Sequence, residues 1–117
     1  KLNLATIGGI MRINYEAFNN AEEVWFWFCH CISARGDGLR SKSDYPGLPR
    51  NCEVGDICQI LKQMKARHQI SNRHLRILSK WGMKNIPPYY RGKPSEIRLW
   101  EEAIRVLDVY LRSREIL

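Results

Sequence analysis

Four cysteines, three histidines and nineteen Lys or Arg side chains are the groups in this 117-residue chain with the most chemistry to offer. Cys29-His30-Cys31, with Cys52 and Cys58, has the residue types of a zinc site. In a helix, however, residues two apart point about 200° away from each other, so Cys29 and Cys31 cannot close on one tetrahedral ion. Cys52 and Cys58 also stand wider than the usual knuckle spacing of about two to four residues. Buried thiols are the expectation, with no metal and no cofactor. Nucleophilic or acid–base catalysis would need a histidine with an acidic orienter, and His30, His68 and His74 have none close in sequence. No glycine-rich phosphate loop stands out either, so the chain reads as a non-enzyme. Arg35-Gly36-Asp37 reads as a helix end, with Gly36 just past the last turn.

Charge is the stronger signal. Nineteen basic residues oppose twelve acidic ones, a formal net charge of +7. The excess is not spread evenly. Residues 57–93 contain Lys62, Lys65, Arg67, Arg73, Arg76, Lys80, Lys84, Arg91 and Lys93, with no Asp or Glu. The rest of the chain is slightly acidic. A solvated face usually mixes signs for solubility, and unrelieved positive charge repels itself unless a polyanion meets it. Nucleic acid is therefore the expected partner.

The elements that must position these groups are helices. At this length one domain is expected, residues 14–117, behind an N-terminal extension over residues 1–13. With 44% apolar and 26% charged residues the composition is that of a globular domain and excludes disorder. Val24 to Cys29 is the longest apolar run, six residues. That is far below the roughly 20 needed to span a bilayer, so no membrane association is expected. The start of the chain lacks the pattern of a signal peptide, which makes a cytoplasmic protein with free thiols the expectation.

The first helix is expected from Tyr15 or Ala21 to Ala34, capped by Asn20, with Glu22 and Glu23 in its first turn. Its centre is apolar all round and has high strand propensity, so a strand is the alternative there. Residues 36–51 carry Gly36, Gly38, Pro46, Gly47 and Pro49 and read as a long loop. The second helix covers residues 53–68, with Val54, Ile57, Ile60, Leu61 and Met64 at helical spacing. Ser71 caps a third helix ending at Gly82, with Leu75, Leu78 and Trp81 inward. Ile70 and Leu75 occupy the two positions of a hydrophobic staple. Pro94 opens the last helix, whose stripe is Ile97, Trp100, Ile104, Leu107 and Leu111. Glu101–Arg105 and Asp108–Arg112 are favourable pairs on its wet face. The fold class is all-α: a small bundle of about four helices with a long C-terminal one.

Residues 64–78, Met-Lys-Ala-Arg-His-Gln-Ile-Ser-Asn-Arg-His-Leu-Arg-Ile-Leu, resemble the helix-turn-helix superfamily of bacterial and phage regulators. Ile70 takes the buried turn position, Ser71 the cap, and Leu75 and Leu78 the buried positions that follow. Lys65 and Gln69 stand where that pattern usually has a small residue and a glycine. The resemblance implies that residues 72–81 form the reading helix. Asn72, Arg73, Arg76 and Lys80 would then contact bases and phosphates in the major groove, and Ser71 a phosphate. It implies a small transcription regulator that binds DNA, RNA being a weaker fit. An adaptor or inhibitor that grips an acidic protein through the same patch is the alternative. Regulators of this kind are often dimers on two-fold operators, and the last helix offers a stripe for a homodimer contact.

The stretch 83–93 adds Tyr89 and Tyr90 beside Lys84, Arg91 and Lys93. Aromatic faces with cations suit phosphate binding or base stacking. Equally, Pro87-Pro88 could stiffen a connector whose tyrosines cover the core.

Overall fold

The computed structural model describes residues 16–36 and 50–117, with side chains omitted at residues 35 and 36. The expected N-terminal extension and most of the expected long loop lie outside the described residues. Four helices follow in chain order: α1 (Ala21–Gly36), α2 (Val54–Ala66), α3 (Asn72–Lys84) and α4 (Pro94–Ser113). The architecture is all-α, with no strand among the described residues.

The run at the centre of α1 is helical because the core surrounds it. Val24, Trp25, Trp27 and Phe28 are all buried, and helical spacing sends them to different neighbours. Trp27 meets Phe18 edge-on at 5.4 Å, and Phe26 stacks on Trp100 at 5.7 Å. Tertiary burial overrides local strand propensity here. Asn20 caps α1 as its sequence suggests, its Oδ1 accepting the Glu23 N–H at 2.9 Å. On the other side Trp100, Leu107 and Leu111 of α4 are completely buried against Ile57, Ile60 and Met64 of α2 and Leu78 of α3 within one apolar cluster. Helix α4 is the spine: α1, α2 and α3 all pack on it, while α2 and α3 are anchored on α1 and α4 rather than on each other.

Helix ends differ from the sequence expectation for a common reason. Helix α2 stops at Ala66, not residue 68, and His68 takes the left-handed conformation at φ 59°. Helix α3 runs past Gly82 to Lys84, and Asn85 turns left-handed at φ 61°. Helix α4 ends the same way at Glu115, φ 60°. In each case the following N–H closes a six-residue ring: Gln69 to Met64, Ile86 to Trp81 and Ile116 to Leu111. The stops are thus His, Asn and Glu, where glycine is the usual signal.

Gly82 has another use. A Cβ there would lie 2.5 Å from Cys29 Sγ and 2.6 Å from Trp25 Nε1. The missing side chain lets the Trp25 indole lie against α3 and donate to the Leu78 carbonyl at 2.9 Å. Gly36 is the last residue of α1 rather than the first beyond it.

Arg50 ties the two segments outside α1 and α2 together. Its guanidinium lies 4.3 Å over the Phe18 ring and donates to the carbonyls of Glu16 and Ala17 at 3.3 and 3.2 Å. Glu23 is 3.9 Å away.

Candidate nucleic-acid interface

Ser71 opens α3 in extended conformation, and its Oγ accepts the His74 N–H at 3.4 Å. His74 returns the bond: its Nδ1 lies 3.0 Å from the Ser71 N and 2.9 Å from Ser71 Oγ. With Nδ1 accepting that N–H, the ring proton sits on Nε2, 2.8 Å from Glu102 Oε1 of α4. A serine, an imidazole and a carboxylate in line are the parts of an acyl-transfer centre. Here they close the first turn of α3 and fasten it to α4. Glu102 is the acidic partner that His74 lacks in sequence; 28 residues separate them.

The corner between α2 and α3 is braced from α4 as well. The Tyr110 hydroxyl donates to Gln69 Oε1 and accepts from Arg67 at 3.1 Å, with the Arg67 guanidinium 5.8 Å from the ring centroid. Ile70 is buried, in the position the staple requires. Leu75, its sequence partner, is only half-buried, while Ile77, absent from the expected inward set, is buried. Lys65, His68, Gln69, Ser71, Asn72 and His74 border an open groove of about 430 Å³ at this corner.

The nine cations of residues 57–93 fall into distinct classes. Lys62 and Lys65 are exposed on α2, and Asn72, Arg73 and Arg76 are exposed on α3. None of these four cations has a carboxylate within 4.0 Å among the described residues. Lys80 is different: its Nζ lies 2.7 Å from Glu96 Oε2, and that bond holds the Glu96 carboxyl below the usual carboxylate range. Arg67 is engaged by Tyr110. Lys84 is exposed, with its Nζ 5.0 Å over the Trp81 ring. Arg91 and Lys93 are exposed at the other end of α3 and have no carboxylate within 4.0 Å among the described residues. Thus α3 carries Asn72, Arg73 and Arg76 free at its start, while α4 neutralises Lys80 further along. The sequence count overstated the field at Lys80, because Glu96, just outside the acid-free segment, supplies it with a carboxylate.

The two tyrosines of residues 83–93 also separate. Tyr89 donates to Glu22 Oε2 at 2.8 Å and is 41% exposed, whereas Tyr90 is 95% exposed. Tyr89 behaves as a cover, as the connector reading has it, and Tyr90 does not.

Among the cysteines, Cys29 is buried and Cys31, Cys52 and Cys58 are half-buried, and none of the four is in a disulfide. No cluster of three metal-ligating side chains forms among the described residues. Burial pushes the Cys29 thiol up to about 11, and burial, reinforced by Asp56, pushes Cys52 up to about 12.

No helix of the described residues is long and apolar enough to cross a membrane. Of the apolar stripe expected to offer a dimer contact, Trp100, Leu107 and Leu111 are fully buried in the chain's own core and Ile97 and Ile104 are half-buried, while Val109 is the large apolar side chain α4 exposes. The chain has no match among models of protein families, curated proteins or solved structures.

Proposed function

We propose that this protein is a small cytoplasmic DNA-binding protein, a transcription regulator, that presents the start of α3 to the major groove. The supporting observation is the outer face of α3, where Asn72, Arg73 and Arg76 are exposed and both arginines lack a carboxylate partner among the described residues. Arg pairs with guanine O6 and N7, and Asn with adenine N6 and N7, so this face has donors suited to base edges. Lys62 and Lys65 on α2 and the free N–H groups opening α3 flank it with phosphate ligands. Ser71, His74 and Glu102 hold the turn, so its backbone is ordered before any ligand arrives. Lys80 contributes less to binding than the arginines, because Glu96 already neutralises it.

A salt titration with duplex DNA tests this. The logarithm of the affinity should fall linearly with the logarithm of salt concentration, by roughly 0.9 per phosphate neutralised. Replacing Arg73 and Arg76 with Ala should weaken binding and lower that slope by up to about 2, and Lys80→Ala should change both far less. Absence of duplex binding at low salt, or a larger loss from Lys80→Ala than from the arginine pair, would sink the reading. Salt-sensitive capture of an acidic polypeptide, with no affinity for DNA, would assign the patch to a protein partner instead.

A further inference from the structure

The turn from α3 to α4 presents one aromatic ring that the fold does not use. Tyr90 is 95% exposed and forms no hydrogen bond among the described residues. Its backbone, by contrast, is fixed on every side. Pro88 is fully buried, and the Gly92 N–H closes onto the Pro88 carbonyl at 2.8 Å. Gly92 is required for that closure, since a Cβ there would lie 2.7 Å from Pro88 Cβ and 2.8 Å from its oxygen. Tyr89 is tied to Glu22 at 2.8 Å, and the Lys93 N–H donates to Glu96 Oε1 at 3.2 Å. A ring held out on a turn of this kind meets a ligand without the cost of ordering a loop.

Charge says what the ligand is. Arg91 and Lys93 follow Tyr90 closely in the chain, and neither has a carboxylate within 4.0 Å among the described residues. Lys84 stands at the end of α3 just before the turn. Glu96, the acid next in the chain, is already bound to Lys80. An exposed π face followed in the chain by two cations outside any ion pair fits a partner with flat rings and negative charge together, which describes a nucleobase with its phosphates.

We infer that Tyr90 is a stacking platform for an unpaired nucleotide, with Arg91 and Lys93 on the flanking phosphates. This rests on the nucleic-acid reading of α3 and adds a substrate class to it: DNA with a single-stranded or unstacked segment beside the duplex. With 13 residues, α3 sets the corner and the turn ~20 Å apart, about six base steps of ~3.4 Å.

The experiment compares a blunt DNA duplex with the same duplex carrying a short oligothymidylate extension that includes a fluorescent 2-aminopurine. The extension should raise affinity on the order of 5- to 100-fold, the usual worth of one stacked base, and quench the 2-aminopurine. Tyr90→Ala should erase both effects and leave the blunt duplex unchanged, while Tyr90→Phe keeps them. Circular dichroism of Tyr90→Ala should match the wild type, because the ring is 95% exposed. Equal affinity for the two probes, or an equal loss on both from Tyr90→Ala, overturns the stacking role and leaves the α3 reading standing. Failure to bind either probe at low salt overturns both.

Discussion

Gly82 shows how one atom can fix a packing arrangement. Alanine is the better helix former by roughly 1 kcal/mol, so a sequence argument favours Gly82→Ala. The space does not, since the new methyl would lie 2.5 Å from Cys29 Sγ and 2.6 Å from Trp25 Nε1. We expect Gly82→Ala to lower stability by about 1–3 kcal/mol through overpacking, measured as a shift in the urea midpoint. An unchanged or higher midpoint would mean that α1 can slide away from α3. The thiols give a second residue-scale prediction. Cys29 and Cys52 rise from 9.0 to about 11 and about 12 through burial, and Tyr89 rises from 10.0 to about 12 through burial and its bond to Glu22. The unfolded chain therefore loses these protons first. The stability they contribute is complete below about pH 9 and declines as pH rises toward 12. Denaturant midpoints should fall over that interval, and Cys29→Ala with Cys52→Ala should delay the onset toward pH 10, where Tyr89 takes over.

At the scale of elements, side-chain bonds between helices decide what the interface looks like. Glu22, legible in the sequence only as a first-turn carboxylate, accepts from both Tyr89 and Trp100 at 2.8 Å through one oxygen. It thereby joins the start of α1, the α3–α4 turn and the core of α4. Glu22→Ala would leave the indole N–H of a fully buried Trp100 unpaired, at a cost of about 1–3 kcal/mol. Glu22→Gln, which keeps an acceptor, should recover part of it. Faster amide exchange around Tyr89 in Glu22→Ala would show that the turn is freed; unchanged exchange and stability would refute the joining role. Capping was readable at α3 because a serine before an amphipathic run is a local signal. The His74–Glu102 and Lys80–Glu96 bonds were not, because each crosses from α3 to α4 and no spacing rule connects them.

For the whole molecule, the chain's own core takes up most of α4's apolar stripe. Trp100, Ala103, Leu107 and Leu111 are fully buried against the other three helices, and Val109, 61% exposed, is alone on the outer face among charged residues. Of the two ion pairs expected there, Asp108–Arg112 forms at 2.9 Å, and Glu101–Arg105 does not come within 4.0 Å. Val109→Lys should leave the sedimentation behaviour unchanged at any protein concentration. A wild-type dimer that this substitution dissolves would restore α4 as an interface. The sequence by itself determined the number of helices, most of their inward residues, the Ser71 cap and the location of the positive charge. These follow from periodicity, local hydrogen-bond chemistry and composition, all of which act over a few residues. Only the tertiary structure decided which cations remain free, which tyrosine faces solvent and what Gly82 is for. Those outcomes depend on α1 and α4 lying against α3, and contacts between residues far apart in the chain leave no local pattern to read.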